Sequence, residues 1–221
     1  MISPLTECLL DVFKDESLFG FSPIDKNLSE KEKCKCSLVT LLPFPDLKYN
    51  YNAVEYFVML EELRKIHSEK LRKIKEFFDA HKINYAAPSA TPKDDGNYMA
   101  DFSYKWAAIQ AGLGFIGKND VFVHYKYAQR VRISCMLIDF DIPISPVEIG
   151  SKCGDCNLCV QACPHGFISG RTWNTKIQRG DLLDYKKCAT KSKYDGEGQK
   201  YSCAICSLAC TYPEMKHTHL E

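Results

Sequence analysis

Eight cysteines concentrated in one part of the chain are the residues best able to do chemistry. The 221 residues include twelve cysteines, and eight of them lie between Cys153 and Cys210. The first four have the spacing C-x2-C-x2-C-x3-C-P and are Cys153, Cys156, Cys159 and Cys163, followed by Pro164. Thiolates at such short spacing can converge on bound metal, so the run predicts a metal or iron–sulfur site.

A second group of cysteines completes the set that two clusters would need. Its members have the spacing C-x14-C-x2-C-x3-C and are Cys188, Cys203, Cys206 and Cys210. In bacterial-type ferredoxins three cysteines of one run bind one 4Fe–4S cluster and the fourth binds the other. By this rule the first cluster is held by Cys153, Cys156, Cys159 and Cys210, and the second cluster by Cys163, Cys188, Cys203 and Cys206.

Zinc and disulfide bonds are the alternative uses of these thiols. Zinc also accepts four thiolates and favours C-x2-C pairs, but it does not require the third cysteine or the C-P ending. Disulfides are typical of secreted chains, and the N-terminal residues lack the basic start and apolar centre of a secretory signal. The remaining cysteines have no matching partners and are interpreted as packing thiols; they are Cys8, Cys34, Cys36 and Cys135.

Composition limits the class of protein. The chain is 45% hydrophobic and 26% charged, with a formal net charge of +1, which is typical of a globular protein. These values disfavour collagen-like, disordered and strongly nucleic-acid-binding classes. No apolar run approaches the roughly 18 residues of a membrane span. We therefore expect a cytoplasmic protein without a membrane partner.

The hydrophobic pattern before the cysteines predicts alternating strands and helices. Residues 38–44 and 131–138 are short apolar runs typical of buried strands, and apolar residues recur at helical spacing over 60–78. Shorter elements are predicted as strands at 84–90 and 121–124 and as a helix at 105–111 that Gly112 ends. The fold class expected is mixed (α+β or α/β), with domains at 1–148 and 149–213 and a tail at 214–221.

Three glycines after the predicted helix form a second candidate site. Gly112, Gly114 and Gly117 have the spacing G-x-G-x-x-G. A dinucleotide-binding loop follows a strand, whereas these glycines follow a helix, so that interpretation is disfavoured. Glycines lack a Cβ and allow the backbone to approach a large flat cofactor.

Residues 105–119, which read K-W-A-A-I-Q-A-G-L-G-F-I-G-K-N, resemble a segment of epoxyqueuosine reductases. The resemblance extends to shorter relatives with a 4Fe–4S double cluster binding domain. It covers roughly residues 37–213 and is most specific at 111–119 and at the eight cysteines. One departure is Cys210-Thr211, where the family pattern has proline after the cysteine.

The resemblance implies a nitroreductase-like N-terminal domain of the cobalamin-binding type, fused to a bacterial-type diferredoxin. Electrons from two 4Fe–4S clusters would then reduce the cobalt of cobalamin. The implied cofactor-binding residues are Gly112, Gly114, Gly117, Lys118 and Asn119. Asp101 is the nearest equivalent of the family's proton donor, with Tyr104 as a substitute, although Asp101 could instead cap the helix that follows.

The sequence thus predicts a cobalamin-dependent iron–sulfur reductase of an unidentified small-molecule substrate. The alternative is a ferredoxin-like electron-transfer or accessory protein without a catalytic cofactor of its own. A ferredoxin or flavodoxin is the expected electron donor. A tRNA substrate is doubtful on the sequence. Full epoxyqueuosine reductases run well beyond the length of this sequence, into a helical-repeat domain that helps to hold tRNA.

Overall fold

The chain divides into two compact units, each built from three stretches. The computed structural model describes residues 4–45, 52–89, 100, 102–191 and 203–213. The first unit comprises Met1–Leu42, Arg64–Leu113 and Arg132–Glu148. The second comprises Pro43–Leu63, Gly114–Val131 and Ile149–Glu221. The cysteine-rich residues therefore share a unit with most of the glycine segment.

A four-stranded sheet forms the centre of the first unit. Its strands stand in the order β1-β2-β6-β3 and are β1 (Phe19–Pro23), β2 (Cys36–Pro43), β6 (Val131–Ile138) and β3 (Tyr85–Ala86). β1 pairs antiparallel with β2, with Phe19 opposite Thr40. β3 pairs antiparallel with β6, with Tyr85 opposite Ile138. The strands predicted at 38–44 and 131–138 are confirmed.

β2 is buried along nearly its whole length because its sequence is almost continuously apolar. Cys36 to Leu42 are all buried, as expected for a strand covered on both faces. Leu38, Val39 and Leu41 have no solvent exposure. Burial of these branched side chains supplies much of the hydrophobic stabilisation of the unit.

Four α-helices of the described residues lie wholly or partly in the first unit, and three of them add buried side chains to its core. They are α1 (Pro4–Phe13), α2 (Lys26–Glu32), α3 (Ala53–Ala80) and α4 (Tyr104–Gln110). The long helix predicted at 60–78 is confirmed within α3, and the mixed α/β class is confirmed. α1, β1 and α2 were not among the elements predicted from the sequence. Among the described residues, no helix is long and apolar enough to cross a membrane.

The ends of α4 follow standard capping chemistry. Ser103 is the N-cap residue, and its hydroxyl oxygen accepts a hydrogen bond from the backbone N–H of Trp106 at 3.2 Å. Gly112 follows the helix with φ +73°, a left-handed conformation that glycine adopts without strain. Gly112 therefore ends the helix as predicted, and the capping role suggested for Asp101 belongs to Ser103.

The second unit combines a small hairpin with short helices. β4 (Gly114–Ile116) pairs antiparallel with β5 (Phe122–His124), with Gly114 opposite His124. The helices of the cysteine-rich part are α5 (Leu158–Ala162), α6 (Arg179–Leu182), α7 (Tyr185–Lys191) and α8 (Ile205–Leu208). None of these helices exceeds seven residues, so they need tertiary contacts or bound metal for stability.

A neutral histidine lies in the core of the first unit. His67 is 2% exposed, and its Nε2 lies 2.9 Å from the Thr40 hydroxyl oxygen. Phe13 packs edge-on against its ring. Burial, assisted by the positive charges of Arg132 and Lys70, lowers the pKa of His67 from 6.5 to about 3.

This burial predicts a pH-dependent stability. Below about pH 6.5 the unfolded chain protonates His67, whereas the folded chain leaves the ring neutral. The free energy of unfolding therefore decreases as the pH falls through this range. Urea unfolding at several values between about pH 7.5 and about pH 5 gives the slope of the free energy of unfolding against pH. In His67→Gln this slope should be smaller by the equivalent of up to one bound proton. Equal slopes in the two proteins would contradict it.

Candidate iron–sulfur site

The first cysteine run is shaped by a tight turn and a short helix. The backbone N–H of Cys156 donates to the carbonyl of Cys153 at 3.1 Å, and Gly154 between them has φ +52°. Cys159 lies in α5, and Cys163 follows the last residue of that helix. The turn and the helix thus place four thiols within eleven consecutive residues.

The second cysteine group is carried mainly by α7 and α8. Cys188 lies in α7, Cys206 lies in α8, and Cys203 and Cys210 flank α8. α8 packs against α5, which brings the second group to the first run. The contact between these two short helices joins stretches that are far apart in the sequence.

The thiols that lie near Cys159 come from both cysteine runs. Burial, assisted by neighbouring thiols, raises the pKa of the Cys159 thiol to about 12; these neighbours are Cys153, Cys206, Cys210 and Cys156. Burial likewise raises the pKa of Cys210, with Cys153 and Cys156 adding to the effect. Cys210 therefore lies with the first run, as the crossed arrangement requires.

The thiols that lie near Cys188 also come from both cysteine runs. Burial raises the pKa of Cys188, and the further contributions come from Cys206, Cys203 and Cys163. These four thiols also line one cavity of about 140 Å³. Apolar side chains form part of its wall, among them Ile168, Leu183 and Ile205. The donor set, four thiols around a common space, fits a 4Fe–4S cluster.

The raised pKa values describe thiols that are protonated near neutral pH. Metal ligation requires thiolates, so loading releases protons, and the positive charge of iron compensates the gathered negative charge. Among the residues that the structure describes, no three histidine, cysteine, aspartate or glutamate side chains converge on a single ion. A 4Fe–4S cluster instead distributes its four cysteine ligands over four irons.

The other four cysteines lie outside these two groups. Cys34, Cys36 and Cys135 are buried in the first unit, at 1%, 2% and 2% exposure. Burial raises the pKa of Cys36 to about 12, so its thiol is a poor nucleophile. These environments agree with packing roles.

Two glycines of the predicted cofactor segment are packed against the protein itself. A Cβ on Gly114 would lie 2.1 Å from the carbonyl oxygen of Val123 and 2.6 Å from the Phe122 ring. A Cβ on Gly117 would lie 2.9 Å from both the Asn119 and Gln129 side chains. Glycine is therefore required at 114 in β4 and favoured at 117 in the loop between β4 and β5, independently of any cofactor.

Lys118 and Asn119 are buried and contact the cysteine-rich residues. Lys118 is 5% exposed, and its Nζ donates to Asn157 Oδ1 at 3.0 Å. Asn119 is 2% exposed and forms two hydrogen bonds with Gln129, at 2.8 and 2.9 Å. The cofactor-binding role of the glycine segment stays a prediction, because these polar groups are engaged within the second unit.

An ion pair between Asp120 and Arg179 connects the loop between β4 and β5 to α6. No sequence pattern indicated this ion pair. Arg179 Nε donates to Asp120 Oδ2 at 2.8 Å, and the guanidinium stacks over the Tyr185 ring at 4.6 Å. The Asp120 side chain is 10% exposed. Neither Asp120 nor Gln129 belongs to a spacing pattern, so only the folded arrangement reveals their roles.

Only one of the two predicted proton donors, Tyr104, lies among the described residues. Asp101 lies outside the described residues. Tyr104 lies at the start of α4, where its hydroxyl donates to the carbonyl of Pro88 at 2.6 Å. Burial raises the pKa of Tyr104 to about 12, which makes its hydroxyl a weak acid near neutral pH.

Residues 152–213 match the family profile described as "4Fe-4S double cluster binding domain". The matched segment contains all eight cysteines of the two groups. The profile match therefore supports an iron–sulfur domain in this part of the chain.

Curated relatives extend the similarity beyond this domain. The epoxyqueuosine reductase of Listeria monocytogenes is 34% identical over 113 residues, which cover 48% of this chain and 28% of that enzyme. The chain matches only 22% to 32% of the length of such relatives. The predicted resemblance to epoxyqueuosine reductase-like proteins is confirmed.

Solved structures share the fold at low sequence identity. An epoxyqueuosine reductase with an epoxyqueuosine-modified tRNA stem loop matches 97% of this chain and 66% of its own, with a TM-score of 0.61 and 18% identity. A reductive dehalogenase whose structure suggests a mechanism for B12-dependent dehalogenation matches 80% of this chain and 25% of its own, with a TM-score of 0.54 and 15% identity. At these identities the likeness shows a common fold.

The packing around Gly114 predicts a loss of stability on substitution. Gly114→Ala places a Cβ against a backbone oxygen that cannot move independently, so we expect the free energy of unfolding to decrease by about 1–3 kcal/mol. Gly150→Ala is the matched control, because nothing lies within 4 Å of a Cβ there. Denaturant unfolding compares the two variants. A fully stable Gly114→Ala protein would contradict the packing role.

Proposed function

We propose that the protein is an iron–sulfur oxidoreductase that passes electrons through two 4Fe–4S clusters to cobalamin, which reduces an unidentified substrate. The crossed arrangement of the eight thiols carries this proposal. It supports Cys153, Cys156, Cys159 and Cys210 as ligands of the first cluster. It likewise supports Cys163, Cys188, Cys203 and Cys206 as ligands of the second cluster.

Proximity of the two groups supports electron transfer between the clusters. Cys206 belongs to the second group, yet its thiol is among the neighbours that raise the pKa of Cys159 after the dominant effect of burial. Two clusters with ligands this close would form a short electron path. A ferredoxin- or flavodoxin-type donor would deliver electrons one at a time.

The cobalamin part of the proposal is supported by likeness. The epoxyqueuosine reductase resemblance and the fold shared with a B12-dependent dehalogenase both point to a corrinoid. Cobalamin, when bound, supplies a strongly reducing cobalt centre. The glycine segment, with Lys118 and Asn119, is proposed as part of its binding site.

An electron-transfer or accessory protein without a catalytic cofactor is the second candidate. One observation favours it, namely that the polar groups of Lys118 and Asn119 face the second unit's own residues. In this case the clusters would accept and donate electrons without chemistry at a bound substrate.

We propose a small molecule as the substrate. The tRNA stem loop belongs to the related enzyme, and the near-neutral net charge of +1 gives this chain no general excess of basic groups for a polyanion. Reduction of small molecules and of epoxyqueuosine-containing tRNA can be assayed side by side once cofactor binding is established.

Removing one ligand tests the ligand sets. Cys188→Ala should remove the second cluster, because three thiols remain in its group, and should leave the first cluster intact. Cys135→Ala is the control, since Cys135 is a buried thiol outside both groups. Iron analysis with EPR of the reduced protein should show about half the iron and one cluster signal for Cys188→Ala only. Retention of both signals would refute this set.

Cobalamin binding separates the two candidate functions. The anaerobically purified, iron-loaded protein is titrated with cob(II)alamin while optical and EPR spectra are recorded. A saturable change of the cobalt signal supports the reductase. Intact clusters without any change would favour the electron carrier. The Cys135→Ala protein serves as a folded control that should bind cobalamin like the wild type.

A further inference from the structure

Lys118 presents a buried positive charge to the first cysteine run. Its ammonium donates to Asn157 Oδ1, and Asn157 lies between Cys156 and Cys159. Within the described part of the chain, no carboxylate forms an ion pair with Lys118. A buried ammonium is costly unless an anion compensates it. A thiolate-ligated 4Fe–4S cluster beside this loop would be such an anion.

Asn119 directs an amide toward the other cysteine group. Burial raises the pKa of the Cys206 thiol, and a hydrogen bond from the Asn119 side chain opposes this effect. The reciprocal bonds with Gln129 fix the orientation of the Asn119 amide. Asn119 also lines the cavity that Cys163 and Cys188 share. A hydrogen bond to a ligand sulfur stabilises the negative charge that reduction adds to a cluster.

We propose that the adjacent residues Lys118 and Asn119 raise the reduction potentials of the two clusters separately. Lys118 acts on the first cluster through its buried charge, and Asn119, whose side chain lines the cavity of the second cysteine group, acts on the second cluster as a hydrogen-bond donor to the ligand sulfur of Cys206. The proposal rests on the cluster ligands proposed above. In each reduction one electron enters a cluster from an external donor, and no bond to either residue forms or breaks.

Lys118 and Asn119 would change the reduction potentials by different physical effects. A buried charge acts through a medium of low dielectric constant and is weakly screened by salt. A hydrogen bond acts on a single sulfur and depends on its geometry. Arg130 adds positive charge near the first cluster, since it lowers the pKa of Cys210 against the dominant effect of burial. Loss of Lys118 alone therefore leaves part of the positive field in place.

The test is an anaerobic redox titration of the iron-loaded full chain, reduced with dithionite and followed by EPR. The signal that Cys188→Ala removes identifies the second cluster. Lys118→Met should lower the reduction equilibrium constant of the first cluster about tenfold, a shift of about 59 mV. Lys118→Arg keeps the charge and should restore the wild-type value. Lys187→Met removes a lysine whose side chain is 71% exposed and should shift neither cluster.

The second part of the redox titration tests Asn119 alone. Asn119→Asp keeps an oxygen for Gln129 and for the backbone N–H of Val121 but removes the amide donor. The second cluster should become harder to reduce, and the first should keep its potential. Gln129→Glu is the control for added charge, because it leaves the Asn119 amide in place. Equal shifts in these two variants would overturn the hydrogen-bond role.

The outcomes also separate this inference from the proposed function. If Lys118→Met and Asn119→Asp both keep two clusters with unchanged reduction potentials, the inference is wrong and the proposed clusters are supported. Equal shifts of both clusters in Lys118→Met would overturn the separate action. Protein that binds no iron would overturn the proposed function itself. If Lys118→Met fails to load, Lys118→Gln, which keeps a polar partner for Asn157, is titrated in its place.

Discussion

The packing of α5 against α8 is the contact on which the cysteine-rich part of the protein depends. Cys159 lies on one of these helices and Cys206 on the other, and Cys163 and Cys210 follow their ends. This single contact interleaves two runs that are distant in the sequence. Each group of four thiols therefore contains cysteines from both runs. Neither helix alone carries a complete group.

Gathering buried thiols has an electrostatic cost that bound iron can offset. Burial and neighbouring thiols both raise the pKa of Cys159 and Cys188, so the metal-free site resists forming thiolates. The second unit places polar groups nearby, with the Lys118 ammonium hydrogen-bonded to Asn157 of the first run and Asn119 lining the cavity of the second group. Iron binding and the folding of these short helices are thus expected to be coupled.

Much of the fold could be predicted where a local pattern decides the structure. The apolar runs of β2 and β6, the period of α3 and the glycine that ends α4 each act over a few residues. α1 had a readable pattern, since Leu5, Leu9 and Val12 lie on one helical face and are buried.

The cysteine sets were predictable because cluster ligation constrains spacing, whereas contacts made only in the folded chain were not. Lys118 and Asn119 were assigned to a cofactor from the surrounding motif, but their partners Asn157 and Gln129 belong to no motif. The requirement for glycine at 114 likewise comes from a neighbouring strand.

Metal analysis of the protein purified without oxygen tests the central claim most directly. Iron, acid-labile sulfide and zinc are measured on the same sample of the full chain. Two 4Fe–4S clusters require about eight irons and about eight sulfides for each chain, with no stoichiometric zinc. Zinc bound to these thiols in place of iron and sulfide would contradict the account.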